Sequence, residues 1–370
     1  MRKKQKLFII LLSGGLITSC GYHPQEKNAE KEALGKLLFH DSTLSEPPGQ
    51  SCATCHDAAK GMSDKYGRAI SEGAVKGLFS QRNSMTVAYS AYVPELYYDE
   101  KEENYVGGLF WDGRSVSLAS QAKEPFLNPV EMGNKDKQMV VDKVKRTPYY
   151  SELIRLYGNS KQTDSIYTYI ADALATYQSS SEMSPFTSKY DAYKNGNYKL
   201  TAQEKRGLKL FKDKGKCAEC HILDHDKRVR HTLFTDYTYD NLGIPKNPSN
   251  PHYKVPSCYF LLTADSVDLG LGAIIGKKEE NGKFRVPTLR NIELTAPYGH
   301  NGYFRTLEEI VHFYNVRDVS NEFPLAEYPA TVNKDELGNL ELTIEEEADI
   351  IAFLKTLTDG YQKSHKEKKR

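Results

Sequence analysis

The pentapeptide Cys-x-x-Cys-His occurs twice, as Cys52-Ala53-Thr54-Cys55-His56 and as Cys217-Ala218-Glu219-Cys220-His221. This spacing suits attachment of a c-type haem. Each pair of thiols can bond the two vinyl groups of one porphyrin, and the adjacent imidazole then falls beneath the iron as axial ligand. A single copy would also fit half of a zinc site. Two copies about 165 residues apart, in a chain whose start reads as an export signal, lead us to expect two covalent haems. They would replace much of an apolar core.

Residues Met1 to Cys20 read as that signal. Arg2, Lys3, Lys4 and Lys6 form a basic region, and Leu7 to Ile17 is apolar but too short to span a bilayer as a mature helix. The segment ends Ile17-Thr18-Ser19-Cys20, which resembles a bacterial lipobox. The expected product starts at Cys20 with lipid on its thiol, so 1–20 is read as a lipoprotein signal peptide; the alternative is an ordinary signal peptide cut nearby. Either way the chain leaves the cytoplasm, and the expected location is the periplasmic side, membrane-anchored by lipid only. The net charge of +1 gives no reason to expect nucleic acid. Four cysteines go to haem and one to lipid, leaving Cys258, read as a small buried residue. No thiols remain for a disulfide framework, and Lys363 to Arg370 reads as a solvated tail.

A faint internal repeat precedes each haem motif: Gly35-Lys-Leu-Leu-Phe39 and Gly207-Leu-Lys-Leu-Phe211. Both have helical apolar spacing, and Thr201 with Glu204 forms a capping box for the second. Late helices are expected over about 164–177 and about 344–357, the latter capped by Thr343 and Glu346. Ser179 to Leu200 reads as a linker. The expected fold is mainly α with long loops, in two cytochrome c-like domains, 21–192 and 193–370, each with one haem.

Further motifs lie between these landmarks. Phe110-Trp-Asp-Gly-Arg114, Gln121-Ala-Lys-Glu-Pro125, Asn128-Pro-Val-Glu-Met132, Asn241-Leu-Gly-Ile-Pro245, Phe284-Arg-Val-Pro-Thr-Leu-Arg-Asn291 and Thr295-Ala-Pro-Tyr-Gly-His300-Asn-Gly302 follow in order. Together they resemble the bacterial di-haem cytochrome c peroxidase and MauG family, over about residues 30–357. The resemblance implies His56 and His221 as proximal ligands of a peroxidatic and an electron-transfer haem. It places Glu131 over the open face of the first haem, where a carboxylate can move the protons of hydrogen peroxide. Gln121 would support that pocket by hydrogen bonding and Pro125 would line it. Trp111, the only tryptophan, would relay electrons between the haems. Asn83, Thr295 and Pro297 match positions that hold a calcium ion in the family; oxygen donors suit that cation. His300 is read as structural support.

Two departures from the family pattern carry information. Many relatives close the first haem with a histidine from the loop after the motif, yet Asp57 to Gln81 contains none. The first haem is therefore expected to be open when ferric, with Met62 and Tyr66 as the alternative ligands from that loop. All six methionines lie at or before Met183, so the second domain lacks the family's usual methionine ligand. Alignment of Thr306-Leu-Glu-Glu-Ile-Val-His-Phe-Tyr314 puts Tyr314 there, the MauG-like arrangement, with His312 as local competitor on another side of the helix.

Three functions follow. The first is reduction of hydrogen peroxide to water with electrons from a small cytochrome c or similar donor. The second is a MauG-like oxidase that modifies a partner protein through a bis-ferryl state. The third is an electron-transfer cytochrome with both irons closed, against which Glu131 and Gln121 argue. Oligomeric state stays open, a homodimer being common among relatives.

Overall fold

The computed structural model describes residues 24–226, 230–259 and 265–362. Cys20, its targeting segment and the basic tail from Lys363 lie outside the described residues. Regular structure among the described residues is mainly helical. Strands form two short antiparallel pairs, Tyr97–Asp99 with Asn104–Val106 and Tyr239–Asp240 with Phe284–Arg285.

The sequence repeat has a packing cause. The Pro24–His40 helix lies on the Thr163–Gln178 helix, and the Ala202–Lys212 helix lies on Ile344–Lys355. A Cβ on Gly35 would sit 2.0 Å from the Ala173 carbonyl oxygen; one on Gly207 would sit 1.9 Å from that of Asp349. Neither crossing can close around a side chain. Four residues on, Phe39 meets Tyr177 edge-on with centroids 5.3 Å apart, and Phe211 meets Phe353 likewise at 5.1 Å. The glycine lets the backbones approach and the aromatic fills the space beyond. Thr201 and Thr343 cap their helices as expected, each accepting from the backbone N–H of the glutamate three residues on.

Two apolar cores result. The first gathers Leu34, Leu38, Val140, Ile166, Ile170 and Leu174. The second gathers Phe211, Phe304, Phe313, Ile350, Phe353 and Leu357. The segment expected to be a linker holds a helix. Ser188 and Asp191 form a capping box that starts a helix at Lys189–Lys194, so the boundary drawn at 192/193 falls inside a helix. Tyr190 of that helix belongs to the second core, while Leu233 and Tyr237 pack into the first.

Charge ties these parts together. Arg290 is 0 % exposed; its guanidinium reaches both oxygens of Asp191 at 2.9 and 2.8 Å, and its Nε donates to the Thr232 carbonyl. Arg82 binds Asp268 through two nitrogens at 2.7 and 2.8 Å and Asp112 through the third at 2.5 Å. Buried charges persist only when paired and hydrogen-bonded, so these bridges fix how the segments meet. Cys258, expected to be buried, is exposed. The apolar run that suggested burial starts at Tyr259, itself exposed, and most of it lies outside the described residues.

Candidate active site

Both Cys-x-x-Cys-His motifs wind into a single turn. Cys52–Cys55 is α-helical and Cys217–Glu219 is a 3-10 turn. In each the histidine N–H closes the turn on the first cysteine's carbonyl, at 2.9 Å. Thiols three apart thus share one face. Burial pushes the thiols of Cys52, Cys55 and Cys217 up to about 12.

The imidazoles are oriented from behind. His56 Nδ1 lies 3.1 Å from the Met62 carbonyl oxygen, and His221 Nδ1 lies 2.9 Å from that of Phe234. A carbonyl only accepts, so Nδ1 carries the proton and Nε2 keeps its lone pair. Burial lowers the basicity of both rings, His221 to about 4, and so holds them neutral. Met62 and Phe234 both adopt left-handed backbone, at φ 61° and 54°. That conformation is uncommon without glycine; here it turns each carbonyl towards its histidine.

The first motif opens on a cavity of about 740 Å³, lined also by Gln121, Pro125 and Glu131. Asn128 Nδ2 donates to Glu131 Oε1 at 2.9 Å, and the Ala74 N–H donates to the Glu131 carbonyl at 2.7 Å. A Cβ on Gly73 would strike the Val130 carbonyl at 2.1 Å, so the loop after the haem motif is laid directly against Glu131. Burial, opposed by Arg114, pushes the Glu131 carboxyl up to about 7. Among the described residues His56 is the only histidine lining this cavity. Neither alternative ligand from the loop lines it: Met62 packs its side chain into the first core, and Tyr66 is 61 % exposed beside Arg68.

The second motif opens on a narrower cavity of about 200 Å³, lined by Phe211, Val311, Tyr314 and Leu354 among others. Burial pushes the Tyr314 phenol well up. His312 does not line the cavity. Its Nδ1 is 2.9 Å from Glu347 Oε1 and its Nε2 is 3.2 Å from Glu322 Oε2, so carboxylates hold both ring nitrogens. Asp240 and Glu336 lie beside Cys220, joined through the Asn333 side-chain amide.

Asn83, Met85, Thr86, Trp111 and Arg285 line both cavities. Trp111 donates its indole N–H to the Asn83 carbonyl at 2.9 Å, which fixes the ring in the shared wall. Met85, from the first half, reaches the second cavity and takes a hydrogen bond from Arg285 on its sulfur at 3.5 Å. Asn83, Thr295 and Pro297 all line the second cavity. His300 is buried there, stacked on Phe284 with centroids 3.7 Å apart. Sequence reasoning gave no role to Asn128, Arg114, Met85 or Arg285. Asn128, Arg114 and Arg285 stood inside quoted motifs, but what they touch is not written in spacing.

These residues fit haem. Arg285 is 5 % exposed; its guanidinium donates to the Phe110 carbonyl and the Met85 sulfur, and among the described residues no carboxylate forms a salt bridge with it. A buried guanidinium facing two cavities calls for anions, and porphyrin propionates are anions. Buried thiol pairs, and imidazoles oriented through Nδ1, supply the remaining contacts.

Comparison with known proteins agrees. Residues 29–199 match the family model described as di-haem cytochrome c peroxidase. The chain is 35 % identical to the methylamine utilization protein MauG of Paracoccus denitrificans, over 93 % of each chain. It is 32 % identical to the cytochrome c peroxidase Ccp of Escherichia coli, over 90 % of this chain and 59 % of that one. The diheme peroxidase BthA of Burkholderia thailandensis superposes with a TM-score of 0.80 at 32 % identity, covering 89 % of this chain and 86 % of that one. Fold and site define an oxidoreductase acting on peroxide. The chain belongs to the di-haem cytochrome c peroxidase and MauG family, whose members hold two c-type haems.

Proposed function

We propose that this protein is an exported di-haem peroxidase that reduces hydrogen peroxide to water with electrons from a small electron-transfer protein. The observation that carries this reading is Glu131: a carboxyl poised to titrate near pH 7 in the wide cavity of the first motif, where His56 is the only histidine among the described residues. When bound, the two haems supply the electron chemistry, one iron taking the oxidant and the other storing and passing electrons.

The chain's own residues do the rest. Asn128 holds Glu131 Oε1, which leaves Oε2 to take the proton of the substrate's near oxygen and return it to the leaving oxygen. Gln121 and Pro125 shape the space beside it. Trp111 carries charge across the wall common to both cavities. Tyr314 supplies an oxygen donor that closes the second site, since His312 is committed to two carboxylates. Cys20 carries the lipid that holds the protein to a membrane on the periplasmic side, and Asn83, Thr295 and Pro297 bind calcium. No helix among the described residues is long and apolar enough to cross a membrane.

A second reading, oxidation of a partner protein in the manner of MauG, is favoured by Tyr314 lining the second cavity. Steady-state turnover with a reduced small cytochrome, together with the ferric spin states, tests both. We expect one high-spin and one low-spin haem and catalytic loss of peroxide. Peroxide consumption without cytochrome oxidation would favour the second reading. Two low-spin haems without turnover would overturn both.

A further inference from the structure

Arg114 is held in place from three sides. Its guanidinium carbon lies 3.5 Å from the centroid of the Phe110 ring. Its Nη1 reaches both oxygens of Asp112 at 3.0 and 3.1 Å, and its Nε donates to Glu124 Oε2 at 3.1 Å. Asp112 is itself buried and bound by Arg82, which is bound in turn by Asp268. An arginine held by stacking and by two carboxylates cannot swing freely. It is nevertheless 34 % exposed and lines the first cavity with Glu131, so it stands where that cavity meets solvent.

We propose that Arg114 is a positioning residue for the peroxide reaction: anchored by Phe110, Asp112 and Glu124, it keeps a fixed positive charge on the wall of the cavity that also holds the Glu131 carboxylate, which stays ready to accept the substrate's proton. This rests on the peroxidase reading above and adds a residue to it. Burial alone favours the neutral carboxyl, and a fixed cation opposes that. Arg114 is the leading influence on Glu131 that favours its charged form, and Glu124 is the acidic neighbour that opposes it. Lys123 and Lys137 also line the cavity. Lys137 is paired with Asp164. On the segments packed against 129–133, Glu72 faces Arg68 and Glu46 faces Lys143. Lysine cannot reproduce the stacked fork that fixes Arg114.

The test is the pH profile of the first reaction with hydrogen peroxide in the haem-loaded protein, for Arg114→Gln, Arg114→Lys and Glu124→Gln. We expect Arg114→Gln to move the midpoint to higher pH, slowing the reaction about tenfold at acid pH for each unit moved while the alkaline rate stays near the parent's. Arg114→Lys should restore part of the shift. Glu124→Gln, whose amide oxygen can still accept from Arg114 Nε, should move the midpoint the opposite way, which keeps the question answerable if Arg114→Gln loads haem poorly. An independent readout is the infrared band of the protonated carboxyl that disappears in Glu131→Gln; its titration should shift with the kinetic midpoint. Unmoved midpoints, or a uniform rate loss at every pH, would overturn the proposal. If Glu131→Gln itself left the rate unchanged, the peroxidase reading would fail instead.

Discussion

Asn128 and Glu131 share a hydrogen bond of 2.9 Å, from the side-chain amide of one to Oε1 of the other, inside the cavity of the first haem motif. The bond favours the charged carboxylate while burial favours the neutral acid, and together with Arg114 and Glu124 they set the carboxyl near neutrality. A proton acceptor works best when its affinity matches the working pH.

Replacing Glu131 by Gln should slow the reaction with peroxide by roughly 10²–10⁴-fold. Because the carboxyl is pushed up to about 7, it is protonated and idle as a base below that pH. The rate should therefore rise with pH through about 7 and lose that dependence in Glu131→Gln. Stopped-flow mixing across pH 5.5 to 8.5 measures this; a flat profile in the parent protein would refute the acid–base role.

Tyr314→Phe should expose the second site and produce new high-spin ferric signal in electron paramagnetic resonance. His312→Gln should leave that spectrum unchanged, because His312 is occupied by Glu347 and Glu322. Reversal of the two outcomes would reassign the ligand to His312.

Gly207→Ala should destabilise the second core by about 1–3 kcal/mol, the usual cost of overpacking. Its new methyl would meet the Asp349 carbonyl at 1.9 Å. Denaturant unfolding of the haem-loaded protein reads the difference. Stability equal to the parent's would mean the helices can separate cheaply.

Asp191→Asn should cost about 3–5 kcal/mol, because it leaves Arg290 buried and unpaired. Burial raises the Asp191 carboxyl, but the Arg290 guanidinium and Ser188 outweigh it and hold it below the usual carboxylate range. The pair's contribution is thus present above the unfolded carboxylate range and lost as pH falls through the lower folded value. Acid unfolding should begin at higher pH in Asp191→Asn, and circular dichroism against pH would detect it.

Much of this site was legible in the chain. The turns that hold Cys52, Cys55 and His56, and Cys217, Cys220 and His221, were readable because two thiols beside an imidazole need only a fixed local spacing. Helix starts at Thr201, Thr306 and Thr343 were readable because caps act over three residues. The same local logic misled at Ser179 to Leu200, where polar composition concealed a helix docked through Tyr190 and Asp191. At Cys258 the apolar run that follows suggested burial, yet the thiol faces solvent.

The sequence by itself determined two Cys-x-x-Cys-His turns, the helix that precedes each, and the motif that carries Glu131. Only the tertiary structure decided the tautomers of His56 and His221, the commitment of His312 to two carboxylates, and the company Glu131 keeps. Those outcomes depend on left-handed carbonyls at Met62 and Phe234 and on partners as distant as Arg82 and Asp268. Local spacing writes covalent chemistry and helix caps into a chain, whereas electrostatic balance arises only when distant segments are packed out of water.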